Sequence, residues 1–237
     1  MWLRRHLRTQ RPGSVSLIDI GCGTGAFTIG AALEGFESLG LSWDVRNQEM
    51  AQDRASLCGA SLASFKVCDV RELDAHAEWH GRFDLAICLE TIEHILDDRR
   101  LLCAISRCLK TDGRLLLTTP NIDYHPITKG DNGPFLLKET GWHVRKGYSA
   151  TALTALCNDV GLMVTEVSYC SGFTSQKITG IMRWLSRVHP LAGWTAILPL
   201  RLLPLVMDPI IRRLTRWPDF SICLDATKAD GKPVSEN

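Results

Sequence analysis

Short apolar runs alternate with longer stretches of helical spacing along most of the chain. Leu17-Ile18-Asp19-Ile20 has the character of a buried strand stopped by glycines, and residues 26–33 carry apolar positions at helix period. Further short runs at 39–41, 64–68, 83–89, 114–118, 163–169 and 220–226 read as strands. Helical stretches separate them, as at Leu101, Leu102, Ile105, Cys108 and Leu109, and Asp112-Gly113 is expected to end that fourth helix with a glycine just beyond it. The strand runs lack strict apolar–polar alternation, which marks strands covered on both faces. The pattern predicts one doubly wound, Rossmann-like α/β domain over residues 1–237, built on a seven-stranded, mostly parallel sheet.

Three stretches depart from this rhythm. Residues 1–13 form a basic N-terminal segment. Residues 120–148, rich in Pro, Gly and Asn, follow the fifth strand, and a long loop at that edge of such a sheet usually meets the substrate. Residues 171–218 form an apolar helical insertion or lid ahead of the last strand. Between 181 and 217 it carries six arginines against one acid, Asp208, and its prolines at 199, 204 and 209 are expected to break any long helix. Arg201 and Asp208 spoil a membrane span. A peripheral contact with a membrane at its inner face, a cover over a greasy acceptor, and a homodimer interface all fit this composition.

Composition changes the picture in two respects. A formal net charge of +1 removes the whole-surface basic field with which proteins grip nucleic acid. Nine cysteines without a Cys-x-x-Cys pair, several inside apolar runs, are expected to be buried free thiols in a reducing compartment. The basic start, Met1-Trp2-Leu3-Arg4-Arg5, leads into no apolar run, so a cytoplasmic location is expected rather than secretion.

Asp19-Ile20-Gly21-Cys22-Gly23-Thr24-Gly25 follows a strand and opens a helix. Such glycines turn tightly and leave no Cβ against a ligand. The third glycine falls one residue early for a dinucleotide fingerprint, and no phosphate-gripping Gly-Lys-Ser/Thr loop is present. The segment resembles the first motif of the class I S-adenosylmethionine-dependent methyltransferases, and the resemblance runs from about Ser14 to about Tyr169. It implies that Asp19 and residues Gly21, Cys22, Gly23 and Gly25 hold the amino-acid end of S-adenosylmethionine. It also implies a ribose-binding acid after the second strand, here Asp44, with Ser42 in the other alignment. Asp69 would face the adenine, with Val70 and Leu89 beside the cofactor; Asp69 also suits a helix N-cap.

After the fourth strand come Glu90, Glu93 and His94, at a spacing that shares one face of a helical turn. Carboxylates and imidazoles are good ligands for Mg²⁺ or another divalent metal; the bland reading is a capped helix with a packed histidine. This cluster, followed by Thr119-Pro120-Asn121 and a later histidine, resembles the ubiquinone-type O-methyltransferases and the small-RNA 3′-terminal 2′-O-methyltransferases. The resemblance implies a metal set of Glu90, Glu93, His94 and His143, with His125 a weaker contender. His143 also fits a His-x-Arg pattern ahead of Tyr148 seen in members acting on small metabolites. Glu90, His94 and His143 are thus the candidate catalytic residues, with a histidine as general base if no metal is used. The Asn-Pro-Pro element of base-amino methylation is missing, so the expected reaction is methyl transfer to a hydroxyl of a small or lipid-linked acceptor, leaving S-adenosylhomocysteine. The alternatives are small-RNA methylation, which the net charge disfavours, and a non-catalytic cofactor-binding scaffold at a membrane.

Overall fold

The computed structural model describes residues 2–7 and 15–230; residues 8–13 of the basic segment lie outside them. Helix α1 spans Trp2–Leu7, and β1 (Ser16–Ile20), α2 (Ala26–Leu33), β2 (Glu37–Ser42), α3 (Val45–Cys58) and β3 (Ala63–Val67) follow. The second half runs β4 (Phe83–Leu89), α4 (Asp98–Cys108), β5 (Leu109–Pro120), α5 (Ala150–Asp159), β6 (Leu162–Cys170), α6 (Phe173–Leu185), α7 (Pro190–Ile197), α8 (Leu203–Thr215) and β7 (Ser221–Lys228). The seven strands form one sheet in the order β3-β2-β1-β4-β5-β7-β6. Its first five members are parallel, and β7 is antiparallel to both neighbours.

Successive strand residues point to opposite faces, and here both faces are buried. Ile18, Ile20, Ala86, Cys88, Leu115 and Leu117 meet residues of α4 and α5 on one side. Leu17, Leu85, Ile87 and Leu116 meet α1 and Phe36 on the other. That is why the runs read as continuously apolar. The chain leaves β1 toward β2 and later returns to β4 on β1's other side. This reversal opens a crevice at the carboxyl ends of β1 and β4.

Two expectations of local structure fail. Helix α4 stops at Cys108, and Asp112-Gly113 lie inside β5, where Asp112 takes φ 60° and the pairing with β4 slips between Phe83 and Leu85. The glycine serves a strand irregularity rather than a helix end. Of the three prolines expected to break any long helix, Pro199 falls in the break between α7 and α8 and Pro204 in the first turn of α8, whereas Pro209 sits inside α8. The insertion is fastened internally. The buried Asp208 carboxylate accepts hydrogen bonds from the Thr174 N–H and the Ser175 hydroxyl at 2.6 Å each, and so caps α6. The Gln176 amide donates to Ser171 O (3.0 Å) and Pro218 O (2.9 Å), tying the two ends of the insertion together. All nine cysteines are free thiols, seven of them buried.

Candidate active site

The turn after β1 uses its glycines for different reasons. Gly21, Gly23 and Gly25 take φ of 80°, 53° and 75°, a region costly for side chains with a Cβ. A Cβ at Gly21 would meet Thr91 Cγ2 at 2.8 Å, and one at Gly25 would meet Phe65 at 2.7 Å. Those two are bare because the protein itself fills the space. At Gly23 a Cβ would meet nothing within 4 Å, so this bend is bare toward open space. Asp19 lies beneath the turn, buried, accepting a 2.6 Å hydrogen bond from the Thr28 hydroxyl. Burial pushes its carboxyl up to about 7. Between the ordinary aspartate range and that value the folded state binds more protons than the unfolded one, so this group's contribution to stability falls as pH rises from about 4 to about 7. Asp19→Asn is therefore expected to be more stable relative to wild type at pH 8 than at pH 5, by about 1.4 kcal/mol for each pH unit between 5 and about 7, as read by urea unfolding. Equal differences at both pH values would refute it.

A cavity of about 380 Å³ opens beside Gly23 at the carboxyl ends of β1 and β4. Among the anticipated cofactor residues, Gly21, Gly23, Asp69 and Val70 line it; Asp19, Cys22, Gly25, Asp44 and Leu89 do not. The Asp44 carboxylate is used as the N-cap of α3, accepting from the Arg46 N–H at 2.9 Å, and Ser42 lines the cavity in its stead. Asp69 both caps the short helical turn after β3 and faces the cavity, where Arg71 grips both its oxygens. That guanidinium holds the Asp69 carboxyl below the usual carboxylate range. Arg71 also reaches Glu139 at 2.8 Å, and Glu139 in turn accepts from the Leu96 N–H at 2.6 Å, strapping the 120–148 loop across the cavity's rim. Trp43, Asn47, Thr91, Arg71 and Glu139 line the cavity without having stood out in the sequence. Only Trp43, an exposed aromatic directly after a buried strand, left a signal there.

The acid–histidine segment does not form the expected helical face. Glu90 takes φ 51° and leads into a single short turn, Ile92–His94. This reversal turns Glu90 outward onto the cavity and drives Glu93 fully into the protein. The four-residue ligand set is therefore corrected: Glu93, His94 and His143 have ligand atoms within 4.8 Å of one another, and Glu90 stands outside that group. Glu93 Oε1 lies 3.9 Å from His94 Nε2 and 4.0 Å from His143 Nε2. The imidazoles meet edge to face at 88°, centroids 4.6 Å apart. Glu93 Oε2 accepts from the Thr119 hydroxyl at 3.0 Å, whereas Glu93 Oε1 and His94 Nδ1 are buried without a hydrogen-bond partner. Burial, reinforced by the charge of Glu90, pushes Glu93 up to about 8. Burial also lowers both histidines, leaving their rings neutral at pH 7.

His143 reaches this cluster because its loop is pinned. The Val144 N–H donates to Glu93 O at 3.0 Å, and Asn121 and Tyr148 bridge as parallel strands would. Arg145 donates to the carbonyls of Ile95 (2.8 Å) and Leu96 (2.9 Å) and pairs with Asp98 and Tyr148. The arginine of the His-x-Arg pattern is thus the clamp that presents the histidine. His125 goes elsewhere, packing on Trp217 with ring centroids 4.4 Å apart. Beyond His143 lies a second cavity, about 480 Å³, walled by Tyr124, Phe135, Trp142 and Phe220, with Lys138 and Arg183 among its lining. His94 faces the first cavity and His143 the second.

A family profile for the methyltransferase domain matches residues 2–167. The chain belongs to the class I S-adenosylmethionine-dependent methyltransferases. Members of that family take S-adenosylmethionine as methyl donor and release S-adenosylhomocysteine. The ubiquinone biosynthesis O-methyltransferase of Sodalis glossinidius is 30% identical over 123 residues, 50% of this chain and 48% of that protein. The corresponding enzyme of Neisseria meningitidis serogroup C is 29% identical over 158 residues, 63% of this chain and 64% of that one. The chain thus spans about half to two-thirds of these relatives. The fold of the SpnF cyclase superposes with a TM-score of 0.66 at 20% identity, over 97% of this chain and 81% of that one. Phosphoethanolamine N-methyltransferase 2 of Haemonchus contortus, solved with S-adenosyl-L-methionine, gives 0.64 at 18% identity, over 96% and 51%. At such identities the likeness extends to the fold.

Proposed function

We propose that this methyltransferase transfers its methyl group to the oxygen of a small, lipophilic hydroxylated acceptor. The observation that carries the reading is that Glu93, His94 and His143 gather between a cavity at the glycine turn and a second one walled by aromatic rings. The likeness to ubiquinone biosynthesis O-methyltransferases supports it.

Gly21, Gly23, Ser42, Trp43 and Asp69 would hold the donor, and the aromatic walls would exclude water from the acceptor's ring or chain. The trio fits a divalent cation: one carboxyl, which a bound cation would hold deprotonated, and two neutral imidazoles, two of their buried polar atoms without a partner. A nitrogen-rich set of this kind suits Zn²⁺ or Fe²⁺ better than Mg²⁺ or Mn²⁺. When bound, S-adenosylmethionine supplies an electrophilic methyl group and a divalent cation supplies the charge that acidifies a hydroxyl. This chain's residues align the two cavities; where no cation occupies the trio, His143, its ring neutral at pH 7 and facing the acceptor side, would accept the hydroxyl proton. Glu90, at the donor cavity's wall, lies close enough to Glu93 to raise its pKa, and so tunes the trio rather than joining it.

The test is methyl transfer from radiolabelled S-adenosylmethionine by the full chain to a prenylated catechol, beside the matching amine and thiol. Label on oxygen with equimolar S-adenosylhomocysteine is expected. Transfer to the amine or thiol but not to the hydroxyl would overturn the proposal.

A further inference from the structure

We propose that the face formed by α6, α7 and α8 docks on an anionic lipid bilayer. Thirteen of the twenty-nine large apolar side chains exposed among the described residues lie between Ile181 and Leu214. Val188 and Leu214 are 86% and 80% exposed, and Trp184 and Trp194 are 66% and 55% exposed. An apolar surface of this extent on helices marks an interaction site rather than ordinary surface. Its charges have one sign. Arg187, Arg201, Arg213 and Arg216 are exposed and form no ion pair among the described residues. The segment's acid, Asp208, is buried as the cap of α6, and Asp219 just beyond it is buried against Arg212 at 3.0 Å. The face therefore offers apolar and tryptophan side chains with arginines and no exposed carboxylate, the chemistry that complements anionic headgroups.

A second copy of the chain fits this face less well. A twofold contact sets the same patch against itself, and here that would bring arginines together with no exposed acid to offset them. Crossing the bilayer is also disfavoured: no single described helix is long and apolar enough, and the pair 193–200 and 203–215 is bent by 68°. The helices would lie along the surface. The face adjoins the aromatic cavity, since Arg183 of α6 lines that cavity while pairing with Asp131 at 3.1 Å. A lipophilic acceptor would then reach the site from the membrane; that consequence rests on the proposed function, whereas docking does not.

The experiment is co-sedimentation of the full chain, without acceptor, with vesicles of phosphatidylcholine alone or mixed with phosphatidylglycerol. Expected are binding at least about tenfold stronger to the anionic vesicles, loss of that binding in high salt, and release by alkaline carbonate. Replacing Arg187, Arg201, Arg213 and Arg216 with Gln, or making Leu202→Asp, should cost at least about tenfold in vesicle affinity. Melting temperature and S-adenosylmethionine titration check that the variants are folded. No binding by folded protein, equal binding to both vesicle types, resistance to carbonate, or light scattering that finds a dimer dissolved by these same substitutions would each overturn the proposal. None of these outcomes depends on which atom is methylated, so failure here is distinguishable from failure of the hydroxyl assignment.

Discussion

Glu93→Gln and His143→Ala should each cut methyl transfer by about 10²–10⁴-fold while S-adenosylmethionine still binds as tightly as to wild type. Neither residue lines the donor cavity, so neither substitution touches the donor's walls. Each alters a ligand atom of the trio, whose two histidines face the two cavities. Glutamine keeps the volume of Glu93 and can still accept from the Thr119 hydroxyl, so the core around it should hold. The measurement is turnover against calorimetric donor affinity, with metal content read by mass spectrometry of the purified chain. A chelator should mimic Glu93→Gln if a cation is used. If the chelated enzyme keeps full rate and His143→Ala does not, the trio acts through imidazole alone. Full activity in both variants would remove the trio from the chemistry.

The second large effect separates glycines that look alike in sequence. Gly23→Val should lower S-adenosylmethionine affinity by more than about 100-fold, because its side chain enters the space beside the cavity where nothing else stands within 4 Å. Its stability cost should stay near the ~1–2 kcal/mol of a left-handed residue bearing a Cβ. Gly21→Ala should do the reverse, losing about 2–5 kcal/mol, since the same backbone cost is joined by collision with Thr91, which anchors this turn by donating to Ile20 O at 3.2 Å. Donor titration and thermal melting of both variants decide the matter. Equal losses of affinity at equal stability would refute the division of roles.

That division shows where sequence reading reaches its limit. Asp19-x-Gly-x-Gly-x-Gly and seven apolar runs were enough to expect the sheet, its mostly parallel pairing and the place of the donor site. Short-range rules govern those features: side-chain alternation, the absence of Cβ, and the need to bury runs such as 85–89 on both faces. The Glu90–His94 segment was legible in composition but not in shape. Spacing alone favours a helical turn, and only the left-handed backbone at Glu90 reveals that Glu90 and Glu93 face opposite ways. Asp44 shows a related limit: an aspartate after a strand suits a ribose ligand or a helix cap, and only the packed structure shows this one capping α3 outside the cavity's lining. The strap of Arg71 and Glu139 joins residues 68 apart, which no local pattern encodes.

The sequence by itself determined the family, the α/β architecture, the glycine turn where the donor is expected and the identity of the two histidines worth watching. The tertiary structure alone decided which of four candidate ligands converge, that an arginine clamp carries His143 to Glu93, that an aromatic cavity lies beyond it, and that Asp208 is spent inside the insertion, leaving its surface purely basic. The physical reason is range. Periodicity and glycine chemistry act over a few residues and are written along the chain, whereas convergence, burial of a charge and the sign of an exposed face depend on which distant segments pack together.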